Sequence, residues 1–236
     1  MKHPPWLLGS EGELEAGRVV ALDSTEARHA AGPLRLRSGD RVVVTDGAGA
    51  VASGVLELGK RGAAEFRVDS VEHVPRPAAG LTLAMAVLAG SAMDMVIQKA
   101  AELGVDRLIP VGCRRSQIGC SRAMERMDHW QRVNRQAIKQ CRRAWVMELA
   151  LPRPLSELIG GDESDGGVVA HPDGMRVTEL PPDRGGLLLI GPEGGFSLEE
   201  ERELDQAEWP KVCFGRYVLR AETAAIAGAA LLSARR

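Results

Sequence analysis

From Leu81 to the last helix, short apolar runs alternate with amphipathic helical stretches. That alternation restricts the fold more than any other feature of the chain. Strands separated in this way pair in parallel, because a parallel neighbour needs a crossover of about a dozen residues or more. The runs Leu81–Leu88, Arg107–Val111, Val168–Ala170, Leu187–Ile190 and Lys211–Phe214 read as the strands. Helices are expected where Val96, Ile97, Ala100 and Leu103 form one face, with Gly104 as the stop. Ser91 and Asp94 have the spacing of a capping box for that helix. Further helices are expected over Ser121–Arg143 (one helix or a pair), Leu198–Ala207 and Ala221–Ser233. The fold class is α/β.

The preceding segment has a different rhythm. Arg18–Leu22, Arg41–Thr45, Val51–Leu58 and Ala63–His73 are short strand-like runs broken by turn residues such as Asp46-Gly47. Pro75, Pro77 and Gly80 then interrupt the pattern, so we expect a β-rich domain over residues 1–76 and an α/β domain over 77–236. With 44% apolar residues over 236 positions, the chain can bury a substantial core. No apolar run reaches the roughly 20 residues of a membrane span, and Met1–Ser10 does not read as a signal peptide. A cytoplasmic location is expected. Cys113, Cys120, Cys141 and Cys213 match no common zinc spacing, and the five histidines are scattered, so no metal is expected.

Charge is unevenly placed. Between Arg114 and Arg143, nine basic residues face only Glu125 and Asp128, in a chain of net charge −2. A local excess of this kind suits a polyanion-binding face. Arg132, Arg135, Lys139 and Arg142 step at helical intervals opposite an apolar stripe of Trp130, Val133, Ala137 and Cys141. A solvated helix face is the bland reading of the same stripe. Aromatic residues make up only 3% of the chain, which disfavours a single-strand stacking platform.

The strongest local motif is Gly191-Pro192-Glu193-Gly194-Gly195-Phe196-Ser197, between an apolar strand and an acidic helix. Ser197 and Glu200 make a capping box there, and three glycines let the backbone approach a ligand closely. No Gly-Lys-Ser/Thr follows, so this is not a P-loop. Glu199, Glu200 and Glu201 would repel a phosphate, so a neutral or cationic ligand fits better. A second motif, Phe214-Gly215-Arg216-Tyr217-Val218-Leu219-Arg220-Ala221-Glu222-Thr223-Ala224, opens the last helix.

Together these two motifs resemble the paired signatures of the RsmE family within the SPOUT methyltransferases. The stretch Met93–Val105, then Arg115-Ser116, and His29 followed by Leu34-Arg35-Leu36-Arg37 and Gly39-Asp40, agree with that resemblance. It implies a PUA-like β-barrel followed by a SPOUT-type α/β domain with a trefoil knot. It also implies a 16S rRNA uridine N3-methyltransferase using S-adenosyl-L-methionine, working as a homodimer on the small ribosomal subunit. Carried over, the cofactor positions are His171, Pro172, Ile190, Gly191, Pro192, Glu193, Gly194, Gly195, Phe214, Gly215, Val218 and Leu219. RNA contacts are expected from His29, Arg35, Arg37, Arg114, Arg115, Arg135, Lys139, Arg142 and Tyr217.

Arg220 and Glu222 are the expected catalytic pair: Arg220 would stabilise negative charge on a uracil carbonyl, and Glu222 would orient Arg220 or accept the N3 proton through water. A structural ion pair is the alternative. The chain departs from the family at Ala89-Gly90-Ser91-Ala92, where members carry charge, at Gln136, and at Tyr217, where an arginine is usual. These departures leave open a non-catalytic RNA-binding protein. Gly47-Ala48-Gly49-Ala50-Val51-Ala52 also matches a dinucleotide-binding fingerprint, although Val51–Leu58 looks like the second arm of a hairpin.

Overall fold

The computed structural model describes residues 4–77, 80–161 and 167–235. The chain divides into two compact units, Met1–Pro77 with Arg135–Val146, and Ala78–Asn134 with Met147–Arg236. No helix among the described residues is long and apolar enough to cross a membrane.

The first unit is built on a five-stranded mixed sheet. Its strands are β1 (Trp6–Leu8), β2 (Val19–Ala21), β3 (Arg41–Thr45), β4 (Ala50–Leu58) and β5 (Ala64–His73), in the order β1-β3-β4-β5-β2. β1 pairs parallel to β3 and the other pairings are antiparallel. Burial alternates along β4, as a strand with one face on a core requires. Leu7, Val42, Val44, Ala52, Leu56 and Phe66 fill that core.

Helix α1 (Ser24–Ala31) follows β2, and the β-rich reading of this region overlooked it. Asp23 caps it, accepting from the amides of Thr25 and Glu26 at 2.7 and 2.9 Å. The dinucleotide reading fails here. Asp46 Oδ1 accepts from the amides of Ala48 (2.8 Å) and Ala50 (3.0 Å), closing a hairpin turn between antiparallel β3 and β4. No helix follows the glycines to receive a pyrophosphate.

The second unit is a parallel α/β sheet. In chain order it contains β6 (Leu81–Ala86), α2 (Ser91–Glu102), β7 (Val105–Gly112) and α3 (Cys120–Met124). There follow α4 (Met127–Cys141), whose last residues belong to the first unit, then β8 (Glu148–Leu149), β9 (Arg153–Pro154) and α5 (Leu155–Ile159). The unit ends with β10 (Gly167–Arg176), β11 (Leu187–Ile190), α6 (Leu198–Gln206), β12 (Lys211–Cys213) and α7 (Ala221–Ser233). The sheet runs β12-β10-β11-β6-β7-β8, with β9 also on β7, and its pairings among the described residues are parallel.

Both faces of this sheet are covered, which is why β11 is four apolar residues in a row, all buried. One face packs Ala84, Ile109, Val169 and Leu189 against Leu155 and Leu158 of α5, Leu204 of α6, and Trp209. α2 and α7 cover the other face and pack on each other. Burying each such Leu or Ile contributes about 1.5–3 kcal/mol.

The expected capping box of α2 is absent. Gly90 is its N-cap and makes no side-chain bond to the helix, while Asp94 Oδ2 lies 2.8 Å from His129 Nε2. Ser197 and Glu200 do form theirs on α6, at 2.8 and 3.2 Å.

Candidate active site

The loops that follow β12 and β11, and a looped bulge within the adjacent β10, line a cavity of about 770 Å³. Ligands of α/β sheets collect at such strand ends, and the volume suits a small molecule. Each loop reaches the cavity for its own reason.

The first loop is a bulge. β10 leaves register between Ala170 and Met175, which both pair with Val212 of β12. The residues between them are thrown out of the ladder, carrying His171 and Pro172 to the cavity wall. Asp173 steadies the loop by donating its amide to His171 Nδ1 at 3.1 Å. The second loop follows β11. Gly195 has φ +70° and donates to the Pro192 carbonyl at 2.8 Å, closing a tight turn. Gly191 lies against the Phe196 ring, where a Cβ would come within 2.8 Å of it. The third loop, after β12, runs through Phe214 and Gly215 to Leu219 and ends at Arg220, the N-cap of α7.

Eleven of the twelve expected cofactor positions line this cavity. Gly194 is the exception: it lines an adjoining cavity and accepts a hydrogen bond from Arg115 Nη1 at 3.0 Å. Phe196, Glu201 and Ala224 line the cavity as well, and the sequence reading did not select them. Glu201 was readable as a helix-terminal acid, but its direction was not.

Glu193 and Glu201 are the acids of the lining; Arg220 is its arginine. Ile190, Phe196, Val212 and Leu219 supply apolar wall. Two carboxylates, exposed backbone around a glycine turn and an apolar floor fit a cationic ligand with a flat heteroaromatic part, such as S-adenosylmethionine. Beneath the turn, Glu200 is buried and accepts the amide of Arg114 at 2.7 Å, which ties the β7 loop to the α6 cap. That carboxylate and burial push the thiol of neighbouring Cys113 up to about 12, burial being the larger cause, so it stays protonated and inert.

Arg220 lines the cavity but Glu222 does not. No ion pair joins the two among the described residues, and Glu222 Oε2 is buried with no hydrogen-bond partner. Glu222 therefore does not orient Arg220 directly.

The expected RNA-contacting residues divide between the units. Exposed Arg35 and Arg37, half-buried His29, and exposed Arg135 and Arg142 lie in the first; Arg114, Arg115 and Tyr217 lie in the second. Arg114 pairs with Glu199 at 2.7 Å. Lys139 requires correction. It is 8% exposed, and its Nζ lies 2.6 Å from Glu26 Oε1. A buried ammonium so committed cannot reach a phosphate, and Arg142 lies past the end of α4 with φ +59°, so Arg132 and Arg135 are what remains of the stripe on the helix. Tyr217 is 75% exposed and lines the cavity mouth, with the Arg216 guanidinium 5.6 Å from its ring centre.

Residues 75–233 match the family of RNA methyltransferase domains. The chain is 29% identical over 221 residues to ribosomal RNA small subunit methyltransferase E of Mycobacterium tuberculosis, covering 89% of this chain and 84% of that one. It is 27% identical over 227 residues to the protein of the same name in Aquifex aeolicus, covering 93% and 96%. Among solved structures, Lpg2936 of Legionella pneumophila, in complex with the cofactor SAM, superposes with a TM-score of 0.87 at 29% identity, covering 99% of this chain and 98% of that one. Ribosomal RNA small subunit methyltransferase E of Neisseria gonorrhoeae, bound to S-adenosyl methionine, superposes with a TM-score of 0.84 at 26% identity, covering 97% and 96%.

Proposed function

The chain belongs to the family of RNA methyltransferase domains, and from that premise we propose that it methylates N3 of a uridine in 16S rRNA, using S-adenosyl-L-methionine. The observation that carries this reading is the cavity lined by the loops after β12 and β11 and the bulge of β10, bounded by the glycine turn and closed at one side by Arg220. The names of the relatives and the cofactor in two similar structures support it.

When bound, S-adenosylmethionine supplies an activated methyl group on a cationic sulfur. The residues of the chain do the rest. Glu193 and Glu201 favour a cation in the cavity, and Ile190, Phe196 and Leu219 keep water from its floor. Uracil N3 must lose its proton to become a good nucleophile, and negative charge then spreads onto the flanking carbonyl oxygens. Arg220 at the rim stabilises that charge. Glu222 lies off the lining, so it takes the proton through a water relay, using the carboxylate oxygen that has no partner.

The finer architecture belongs to the same proposal. Residues 1–76, which with Arg135–Val146 make up most of the first unit, are a PUA-like RNA-binding domain, and residues 77–236 form a SPOUT domain with a trefoil knot. The resemblance to the RsmE family and the superposition on Lpg2936 support the knot. The protein acts as a cytoplasmic homodimer on the small ribosomal subunit.

Calorimetric titration with S-adenosylmethionine, with a nicotinamide dinucleotide as control, tests the cofactor. Transfer of a labelled methyl group to small-subunit RNA, followed by mapping of the modified atom, tests the reaction. Absence of cofactor binding, or a methyl group on any atom other than uridine N3, would sink the assignment.

A further inference from the structure

Two smaller cavities continue from the cofactor cavity along the carboxyl edge of the parallel sheet. The first, about 420 Å³, shares Pro192 and Glu193 with it and is also lined by Arg115 and Ala92. The second, about 340 Å³, shares Ala89 and Gln117 with the first and is lined by Arg122 and Arg126. All three lie within the second unit and form one path over the ends of β11, β6 and β7.

The far end of this path differs chemically from the near end. Arg122 on α3 and Arg126 just beyond it both line the second cavity. Neither guanidinium has a hydrogen-bond or ion-pair partner among the described residues, whereas Arg114 is held by Glu199 and Arg115 by the Gly194 carbonyl. Glu125 is the one acid in the lining of the second cavity. Two uncommitted planar forks beside a concave wall match the oxygens of a phosphate group. The uncapped start of α2 at Gly90 adds a positive field to a site already defined by the cavity and the arginines. Ala89 and Ala92 bring no charge to these walls, so the positive charge there comes from the arginines.

The geometry points to a phosphodiester subsite for the RNA strand next to the methylated base. The strand leaves the mouth of the cofactor cavity, passes Arg115, and has its backbone phosphates bound by Arg122 and Arg126. This inference rests on the proposed function for the identity of the polyanion. Arg122 and Arg126 are positioning residues: they hold the strand and touch no reacting atom.

The test compares the full-length wild type with Arg122→Ala/Arg126→Ala and with Arg122→Lys/Arg126→Lys. Cofactor affinity is measured by calorimetry, small-subunit RNA binding across a salt series, and methyl transfer at varied RNA. In the alanine variant the slope of log affinity against log salt is expected to fall by roughly 1.4–1.8, two phosphate contacts. KM for RNA should rise at least tenfold, kcat at saturating RNA and cofactor affinity should hold, and the lysine variant should recover most of the slope. An unchanged salt slope, or a loss of cofactor affinity in step with RNA affinity, would overturn the subsite. The wild type reports separately on the proposed function: if it binds RNA with the arginine-dependent slope but transfers no methyl, that reading fails and the subsite stands.

Discussion

Lys139 Nζ donates to Glu26 Oε1 at 2.6 Å, and the other oxygen of Glu26 accepts the amide of Leu8 at 3.2 Å. One buried carboxylate thus joins α1, the end of β1 and the second half of α4 inside the first unit. Removing one member of a buried pair leaves the other charged and unmatched, which costs about 3–5 kcal/mol. Lys139→Met is expected to lower unfolding stability by that amount in urea titrations. A variant as stable as wild type would return Lys139 to the exposed basic stripe.

Arg220 and Glu222 should separate in kinetics. Arg220→Ala is expected to lower kcat by roughly 100- to 1,000-fold, as when a charge-stabilising donor is removed, with cofactor affinity unchanged. Glu222→Gln should lower kcat by on the order of 100-fold at saturating RNA and cofactor. Full activity in a folded Arg220→Ala protein would end its catalytic assignment.

Tyr217 is too exposed for its ring to be a packing element of the 214–219 loop. We expect it to stack on the target uracil, a contact worth about 1–3 kcal/mol. Tyr217→Ala should therefore reduce kcat/KM for RNA by roughly 5- to 150-fold, while Tyr217→Phe stays near wild type. Measuring cofactor affinity in parallel identifies the other outcome, in which the ring covers the cofactor instead.

Gly191→Ala would drive a methyl group to within 2.8 Å of Phe196 and displace the turn. Overpacking of this kind costs about 1–3 kcal/mol, so S-adenosylmethionine affinity should fall by roughly tenfold or more. Calorimetry checks it, with circular dichroism to show that the fold persists.

Cys113 gives a pH prediction. Its thiol ionises at about 12 in the folded protein against 9.0 for an ordinary cysteine. Between those values the native state holds a proton that the unfolded state has released, so stability falls as pH rises through this window, by up to about 1.4 kcal/mol per pH unit. Below pH 9 the contribution is fully present. Urea denaturation at pH 8 and pH 10 should show a smaller alkaline loss in Cys113→Ala than in wild type.

The elements that could be read from sequence are those whose signal is local. β11 and α7 stand where their apolar runs place them, and the Ser197–Glu200 box needs only residues three apart. The three loops of the cavity were placed by the resemblance to the RsmE family, and of them the Gly191–Gly195 turn is also marked by its own glycines. What stayed hidden depends on distant partners. Lys139 looks like any other member of a basic stripe until Glu26, 113 positions earlier, is seen beside it. α1 escaped because it is short and polar, and one of its buried residues is that same glutamate. Asp94 has capping-box spacing, yet His129 claims it. Periodicity reports which face a residue occupies and nothing about what meets it there.

The departure of β10 from register has an evolutionary consequence. Ala170 and Met175 are both anchored opposite Val212, so the residues between them contribute no rung to the ladder. A deletion or insertion confined to 171–174 can alter the rim of the cavity without shifting any strand on either side. The contour of the cofactor cavity can drift at this spot while the scaffold stays fixed.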